Sequence, residues 1–528
     1  MNATSPNTTT LITPGSTRAW IGTLGGMLGA FMAVLDIQIT NSSIRDISGA
    51  IGATLDESSW ISIAYLVPEI IVIPLTAWIA SILGLRRYLI ITSVLFLVFS
   101  VWCGQAWSLG SMIVFRAGQG FFGGALIPLG FTAVLQMLPP AKHPTGFALF
   151  GLSAMFAPSI GPSIGGWLTD NWGWQWNFYL NLLMGPFLIG AVWYGFPKAP
   201  AQWKKFREAD GVGIVLMSLG LGALTTFLEE GTRDDWFEST FITRLAIIAA
   251  VTLPLFVFWQ LRAKKPVADL RLFALRNFGL GSIINVVLGG SLYGSIFLLP
   301  LYLGSVQGYG AADIGATLIW GGIPQLFIIP LMPWFMKRFD TRWLIVYGLL
   351  MFGASCLLNT SLSADFAHDQ LRWSLLVRAL GQPFILVPVS ALATGGLPAS
   401  RAAGASGLFN MMRNLGGSIG IALLSALLTI RERFHSNRLG EAVSAYNPLT
   451  QERLHALTQH FIAAGSDTYT AGQQAVASLD ALVRREATLM AFNDCFHVLG
   501  FVLIGATVAA FLSRPARPAQ SAAGAASH

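Results

Sequence analysis

Apolar runs of about 18 residues or more recur along this chain from residue 20 to residue 513, each long enough to cross about 30 Å of hydrocarbon as a helix. Lipid offers no partners to backbone amides, so a chain made of such runs must satisfy them internally and fold as packed helices. Reading each run between charge, Pro or Gly, the sequence predicts fourteen spans near 19–42, 59–82, 88–106, 110–138, 145–168, 177–197, 211–230, 239–261, 278–304, 313–335, 343–361, 371–397, 402–429 and 488–513. At 54% hydrophobic and 11% charged residues, with a mean hydropathy of +0.62, the chain is far from the roughly 25% charged residues of a soluble domain. The expected fold class is all-α polytopic membrane protein.

Charge in the short loops sets the orientation. Arg18, Arg86, Arg87, Lys142, Lys198, Lys204, Lys205, Arg207, Arg262, Lys264, Lys265, Arg271, Arg276, Lys337, Arg338, Arg342, Arg401, Arg514 and Arg517 fall on the side of the N-terminus. The short loops opposite hold only Arg45, Arg233 and Arg372. Basic loops stay inside, so both termini are predicted to be cytoplasmic in a bacterial inner membrane. The net charge of +7 therefore reports topology, and nucleic acid is not an expected partner. Residues 1–17 lack the basic start of a cleavable signal, so the first span reads as a retained anchor. Cys103, Cys356 and Cys495 fall in separate spans without metal or redox spacing and read as packing residues.

The chain repeats itself. Arg116-Ala117-Gly118-Gln119-Gly120 opens the fourth span and Arg378-Ala379-Leu380-Gly381-Gln382 the twelfth; Gly151-Leu152 then leads to Ser163-Ile164-Gly165, as Gly407-Leu408 leads to Ser418-Ile419-Gly420. A parallel repeat of this kind places substrate near the midplane between halves. It divides the chain into a tail 1–18, a six-helix half 19–197, an inserted helix pair with its loops 198–277, a six-helix half 278–513, and a tail 514–528. The second half includes an extracytoplasmic loop, 430–487, expected to form one or two amphipathic helices or a solvated loop.

Ionisable groups inside spans cost at least about 2.5–3.5 kcal/mol and are functional candidates by default. They are Asp36, Glu69, Arg116, Arg378, Arg413, Asp494 and His497, with Glu229 and Glu230 ending span seven. A carboxylate whose burial and cationic neighbours change between conformations can take up and release a proton, the property a proton carrier needs. Asp36 is the leading candidate; a fixed salt bridge to Arg116 or another buried Arg is its structural alternative. Arg116 and Arg378 cannot lose their charge and suit a permanent field on a neighbouring carboxylate, or pairing at a helix end. Glu69, between Pro68 and Pro74, is a proton or substrate candidate, with a position at the rim as its alternative, and Glu229 and Glu230 are candidates for the proton. Arg378, Asn410, Arg413 and Asp494 are assigned to substrate or gating, with packing pairs as the alternative for Asn410, Arg413 and Asp494. In span five, Ala157, Gly161 and Gly165 form a flat face, and Pro158 and Pro162 free backbone acceptors, which together suit a hinged seam between the halves.

With these residues in view, the whole chain resembles the major facilitator superfamily, and within it the fourteen-span drug:proton antiporters of the EmrB/QacA type. Leu35-Asp36 with Thr40-Asn41 resembles the span-one motif, Arg116 to Gly120 the span-four motif, and Gly161-Pro162 with Gly165-Gly166 the antiporter motif of span five. Glu229 to Phe237 is similar to the stretch after span seven in Emr-type exporters. Two departures stand out: the loop after span two has Ser81 where the family has an acid, and span one ends Ile44-Arg45-Asp46 where the family has an apolar-Pro segment.

The resemblance implies proton-coupled efflux of lipophilic or amphipathic compounds by alternating access, without an enzyme's chemistry. For members with a long loop between the last two spans it also implies a periplasmic adaptor and an outer-membrane channel as partners, besides substrate, protons and membrane lipid. Trp60, Tyr65, Trp102, Phe121, Phe122, Trp320 and Phe327 are expected to offer apolar surface to the ligand. No cofactor, nucleotide-binding loop or metal site is expected. The alternative reading is a proton-coupled transporter of one metabolite, fatty acid or siderophore; an intramembrane enzyme or sensor is the remote one.

Overall fold

The computed structural model describes residues 13–54, 57–363, 366, 368–395, 397, 399–444 and 446–515. Most of the predicted tails, 1–18 and 514–528, therefore lies outside the described residues. Among the described residues fourteen helices are long and apolar enough to span a membrane, and no strand occurs. We number these spans α1 (Thr17–Ser42), α2 (Ser59–Leu83), α3 (Leu85–Gly104), α4 (Leu109–Met137), α5 (Pro140–Trp172), α6 (Trp176–Gly195), α7 (Gly211–Glu230), α8 (Thr240–Arg262), α9 (Arg276–Ser305), α10 (Asp313–Arg338), α11 (Thr341–Ser361), α12 (Asp369–Thr394), α13 (Gly404–Ala442) and α14 (Thr468–Leu512).

The two halves repeat one packing scheme. α1 lies against α4, α5 and α6, and α9 lies correspondingly against α12, α13 and α14. Small residues permit this closeness, since without a hydrophobic drive in lipid, helices associate through tight van der Waals packing. A side chain at Gly161 of α5 would meet the Gln38 Cβ of α1 at 2.5 Å, and one at Gly420 of α13 would meet the Gly290 Cα of α9 at 2.5 Å. Two seams join the halves, α2 with α13 and α5 with α10; α7 and α8 pack on each other, and α7 leans on α2 and α13. The start of α1 and the end of α14 lie on one face. There Arg18 Nε donates to Tyr194 O, Gly15 N to Met137 O, and Arg276 Nε to Leu512 O.

Three expectations change. Span ten is broken, running as Ala311–Leu318, a turn at Ile319–Gly321, and Ile323–Arg338, because Pro324 and neighbouring glycines interrupt the hydrogen-bond ladder. The segment 430–487 is a helical projection more extensive than a pair of separate helices. The thirteenth helix runs on from Ala399 to Ala442, Pro448–Ala463 forms a helix of its own, and the last helix begins at Thr468, capped by Asp467. Apolarity stops at Arg431, but Arg, Glu, Leu and Ala are all good helix formers, so the helix outlasts its hydrophobic window. Finally, the small face of α5 is not the seam between halves. Gly161 and Gly165 pack on Gln38, Ile39 and Ser42 of α1 in their own half, while Ser159 and Ser163, half a turn away, meet Gly322 and Gly315 of α10.

Candidate functional site

Asp36 sits on α1, and the three-and-four spacing of α4 brings Arg116 and Gln119 to the same face opposite it. The Arg116 guanidinium lies 2.6 Å from one carboxylate oxygen of Asp36. Gln119 and Asn181 donate to the other oxygen at 2.9 and 2.7 Å. Ser100 of α3 accepts from both of these amides, at 2.8 and 3.2 Å. Arg116 is fully buried; it also donates to Ile61 O at 3.2 Å and to Gln119 Oε1 at 2.8 Å, and lies 4.4 Å from the Tyr65 ring centre. Five spans, α1, α2, α3, α4 and α6, thus supply one satisfied network, as a charge removed from water requires. Both readings of Asp36 meet here: the ion pair to Arg116 is present, and the carboxylate is sealed in the membrane interior.

One helical turn past Tyr65 on α2 is Glu69, buried at the seam between halves. Asn414 of α13 donates to its Oε1 at 3.0 Å, and Arg413 is near enough to act on it through the field. A side chain at Gly124 of α4 would come within 2.8 Å of Glu69, so the glycine lets α4 close over this carboxylate. Arg413 is 2% exposed, and its Nε and Nη2 meet no hydrogen-bond partner among the described residues. Tyr65 and Glu69 therefore link the Asp36 network of one half to the cationic α13 of the other.

The remaining candidates scatter. Arg378 faces no carboxylate; its Nη1 donates to Ser295 Oγ of α9 at 3.2 Å, so its expected role as a field on a neighbouring acid is not met among the described residues. Asn410 turns back on its own helix, donating to Ser406 O at 2.9 Å. Asp494 is not enclosed by the bundle: it pairs with Arg431 at 2.6 Å and His435 at 2.7 Å, half-buried at the root of the helical projection. His497 is exposed, bonded to Asn493 O, and stands apart from this site. Glu230 pairs with Arg233 at 2.5 Å near the start of α2, while Glu229 faces Ser418 of α13. Gly161, Pro162, Gly165 and Gly166 lie along α5, the first and third against α1.

The proposed apolar lining is redrawn as well. Trp102 is 44% and Phe327 70% exposed on the outside of the bundle, Tyr65 stacks on Arg116, and Trp320 lies 4.0 Å from the Arg372 guanidinium. An open cavity of about 470 Å³ lies instead between the halves, on the face where α1 starts and α14 ends. Trp78 and Ser81 of α2, Gln136 of α4, Val267 and Asp269 before α9, and Arg401 before α13 line it. The missing acid of the span-two loop is therefore at the rim of this cavity as Ser81, which bonds Trp78 O. The matching loop of the second half has Asp340, which caps α11 and pairs with Arg342 at 2.9 Å; that bonding holds its carboxyl below the usual range. Gln119, Asn181, Ser100 and Asn414 were not read from the sequence as site residues. Their signal is weak, because uncharged polar residues are common in spans, but Gln119 stood inside the repeated span-four motif.

Fourteen membrane helices among the described residues, twelve of them in two like halves, with polar groups concentrated between and beside them, define a polytopic transporter. Residues 26–421 match the model of the Major Facilitator Superfamily, and the chain belongs to that family. It is 34% identical over 496 residues to the Colistin resistance protein EmrB of Acinetobacter baumannii, covering 94% of this chain and 96% of that one. It is 32% identical over 499 residues to the Multidrug export protein EmrB of Haemophilus influenzae, covering 93% and 95%. Among solved structures it is similar to a POT family transporter in complex with a thioalcohol-conjugated peptide, with a TM-score of 0.58, 16% identity and coverage of 93% and 94%. That likeness bears on the fold alone.

Proposed function

We propose that this protein is a secondary active exporter that expels lipophilic or amphipathic compounds in exchange for protons by alternating access, using the bacterial inner membrane with both termini in the cytoplasm. The buried Asp36 carboxylate, held by Arg116, Gln119 and Asn181, carries the reading. Arg116 is its ion-pair partner among the described residues, so breaking that contact as the helices move changes both the field and the hydration of Asp36, and with them its hold on a proton. Glu69 and Asn414 bridge the halves and pass the state of this network across the seam. Substrate enters from the cavity on the terminal face, which is the cytoplasmic side in the orientation that the basic loops favour. The names of the two EmrB relatives support resistance to toxic compounds as the outcome. Residues 19–197 and 278–513 act as the two moving halves, with 198–277 as a lateral insert. The projection 430–487 is a docking point for a periplasmic adaptor leading to an outer-membrane channel.

The test is a resistance panel in a host stripped of its own pumps, joined to everted vesicles given an inward-acid gradient. Resistance to several chemically unrelated lipophilic compounds, with gradient-driven dye accumulation, is the expected result. Protection against a single metabolite, or accumulation that ignores the gradient, contradicts it.

A further inference from the structure

Asp36 lies nineteen residues past Thr17, where its helix begins, and Ser295 lies nineteen residues past Arg276, where the corresponding helix of the second half begins. Each faces the arginine of the repeated motif, Asp36 at Arg116 and Ser295 at Arg378. The repeat therefore keeps the cation and replaces its acid by a neutral hydroxyl. Around Arg378 the side chains Gln325 and Gln382 are fully buried, and Gln325 Nε2 donates to Gln382 Oε1 at 2.8 Å and to Gly321 O at 2.7 Å. Gly321 closes over the guanidinium: a Cβ there would stand 2.6 Å from Arg378 Nη2.

Two donors in this cluster have no hydrogen-bond partner among the described residues, Arg378 Nε and Gln382 Nε2. In the first half the glutamine beside the motif arginine stands one position earlier, and its amide, Gln119 Nε2, spends its hydrogens on Asp36 and Ser100. Arg378 is 4% exposed and cannot shed its charge, and a buried guanidinium with neither a counter-charge nor full hydrogen bonding is strongly disfavoured. We infer that Arg378 and Gln382, one helical turn apart, form a binding site for a small monovalent anion of the halide class beside Ser295, whose own hydroxyl proton goes to Leu292 O at 3.0 Å, in the second half where the Asp36 carboxylate stands in the first. The enclosure by Gly321 and the buried glutamines favours a single-atom ion over an organic acid.

The experiment is thermal unfolding of the full-length protein purified in detergent, in chloride or bromide against gluconate at equal ionic strength. Anything bound by the folded state alone raises the midpoint in a saturable way. Wild type is expected to show a saturable rise in midpoint with chloride and with bromide. Ser295→Asp supplies a fixed carboxylate and is expected to lose that halide-dependent rise, and Arg378→Gln removes the need for an anion and loses it too. Equal midpoints for wild type in halide and gluconate overturn the inference, as does an undiminished halide effect in Ser295→Asp. The readout involves no transport, so its failure is separate from any failure of export.

Discussion

The two halves are built on one packing plan but handle buried charge in opposite ways. In the first, Arg116 meets a carboxylate and every oxygen of that carboxylate is bonded; in the second, Arg378 meets a hydroxyl and keeps a donor without a partner among the described residues. A parallel repeat gives both halves the same helix crossings, and those crossings are enforced by glycines whose replacement would collide with backbone or side chains in either half. Charge is under no such constraint, since one substitution at the Asp36 position changes the electrostatics without touching the packing. The proposed division of labour follows: a protonatable half and a half of fixed positive charge, meeting at Glu69, Asn414 and Arg413 on the α2–α13 seam.

This contrast can be broken at several points. Arg116→Ala should have the largest effect, because it leaves the Asp36 carboxylate buried without its cation, a loss of about 3–5 kcal/mol for one member of a buried pair. Thermal unfolding in detergent and resistance should both fail in that variant. Asp36→Asn keeps the shape and the oxygen acceptor but not the charge; it should insert and fold, seen by surface expression and gel filtration, yet give no proton-driven export. Gly315→Val probes the other seam. A Cβ at 315 would stand 2.5 Å from Ser163 Oγ, so closure of α5 on α10 should cost about 1–3 kcal/mol as overpacking does, read as slowed turnover with intact substrate binding. Asp494→Asn should change stability by no more than about 1 kcal/mol, the scale of a solvent-accessible pair, since Asp494 is half-buried among Arg431 and His435 outside the central network.

Much of this was legible in the chain because lipid makes polarity expensive. Asp36, Glu69 and Arg116 stand out as charges inside apolar runs, and all three lie in the network or beside it. Arg378 stood out equally, yet the absence of an acid opposite it is a tertiary fact: nothing in the sequence around 378 says that residue 295 is its neighbour. Gln119, Asn181 and Asn414 carry no charge and so raise no alarm in a hydropathy reading, although they supply much of the hydrogen bonding. Trp102 and Phe327 were assigned to the cavity because periodicity cannot distinguish a face turned to lipid from a face turned to a ligand; both look outward. Helix in 430–487 was among the expectations, but its continuity with the spans on either side was not, because a hydropathy reading stops at charged residues where helix propensity does not.

The most direct measurement is transport by purified protein in proteoliposomes, comparing wild type with Asp36→Asn in two modes, exchange of labelled for unlabelled substrate and accumulation driven by a pH gradient. A proton-carrying Asp36 predicts that the variant retains exchange, since both substrate-loaded states still interconvert, while gradient-driven accumulation vanishes. Accumulation at the wild-type level in Asp36→Asn would contradict the assignment of proton coupling to this carboxylate.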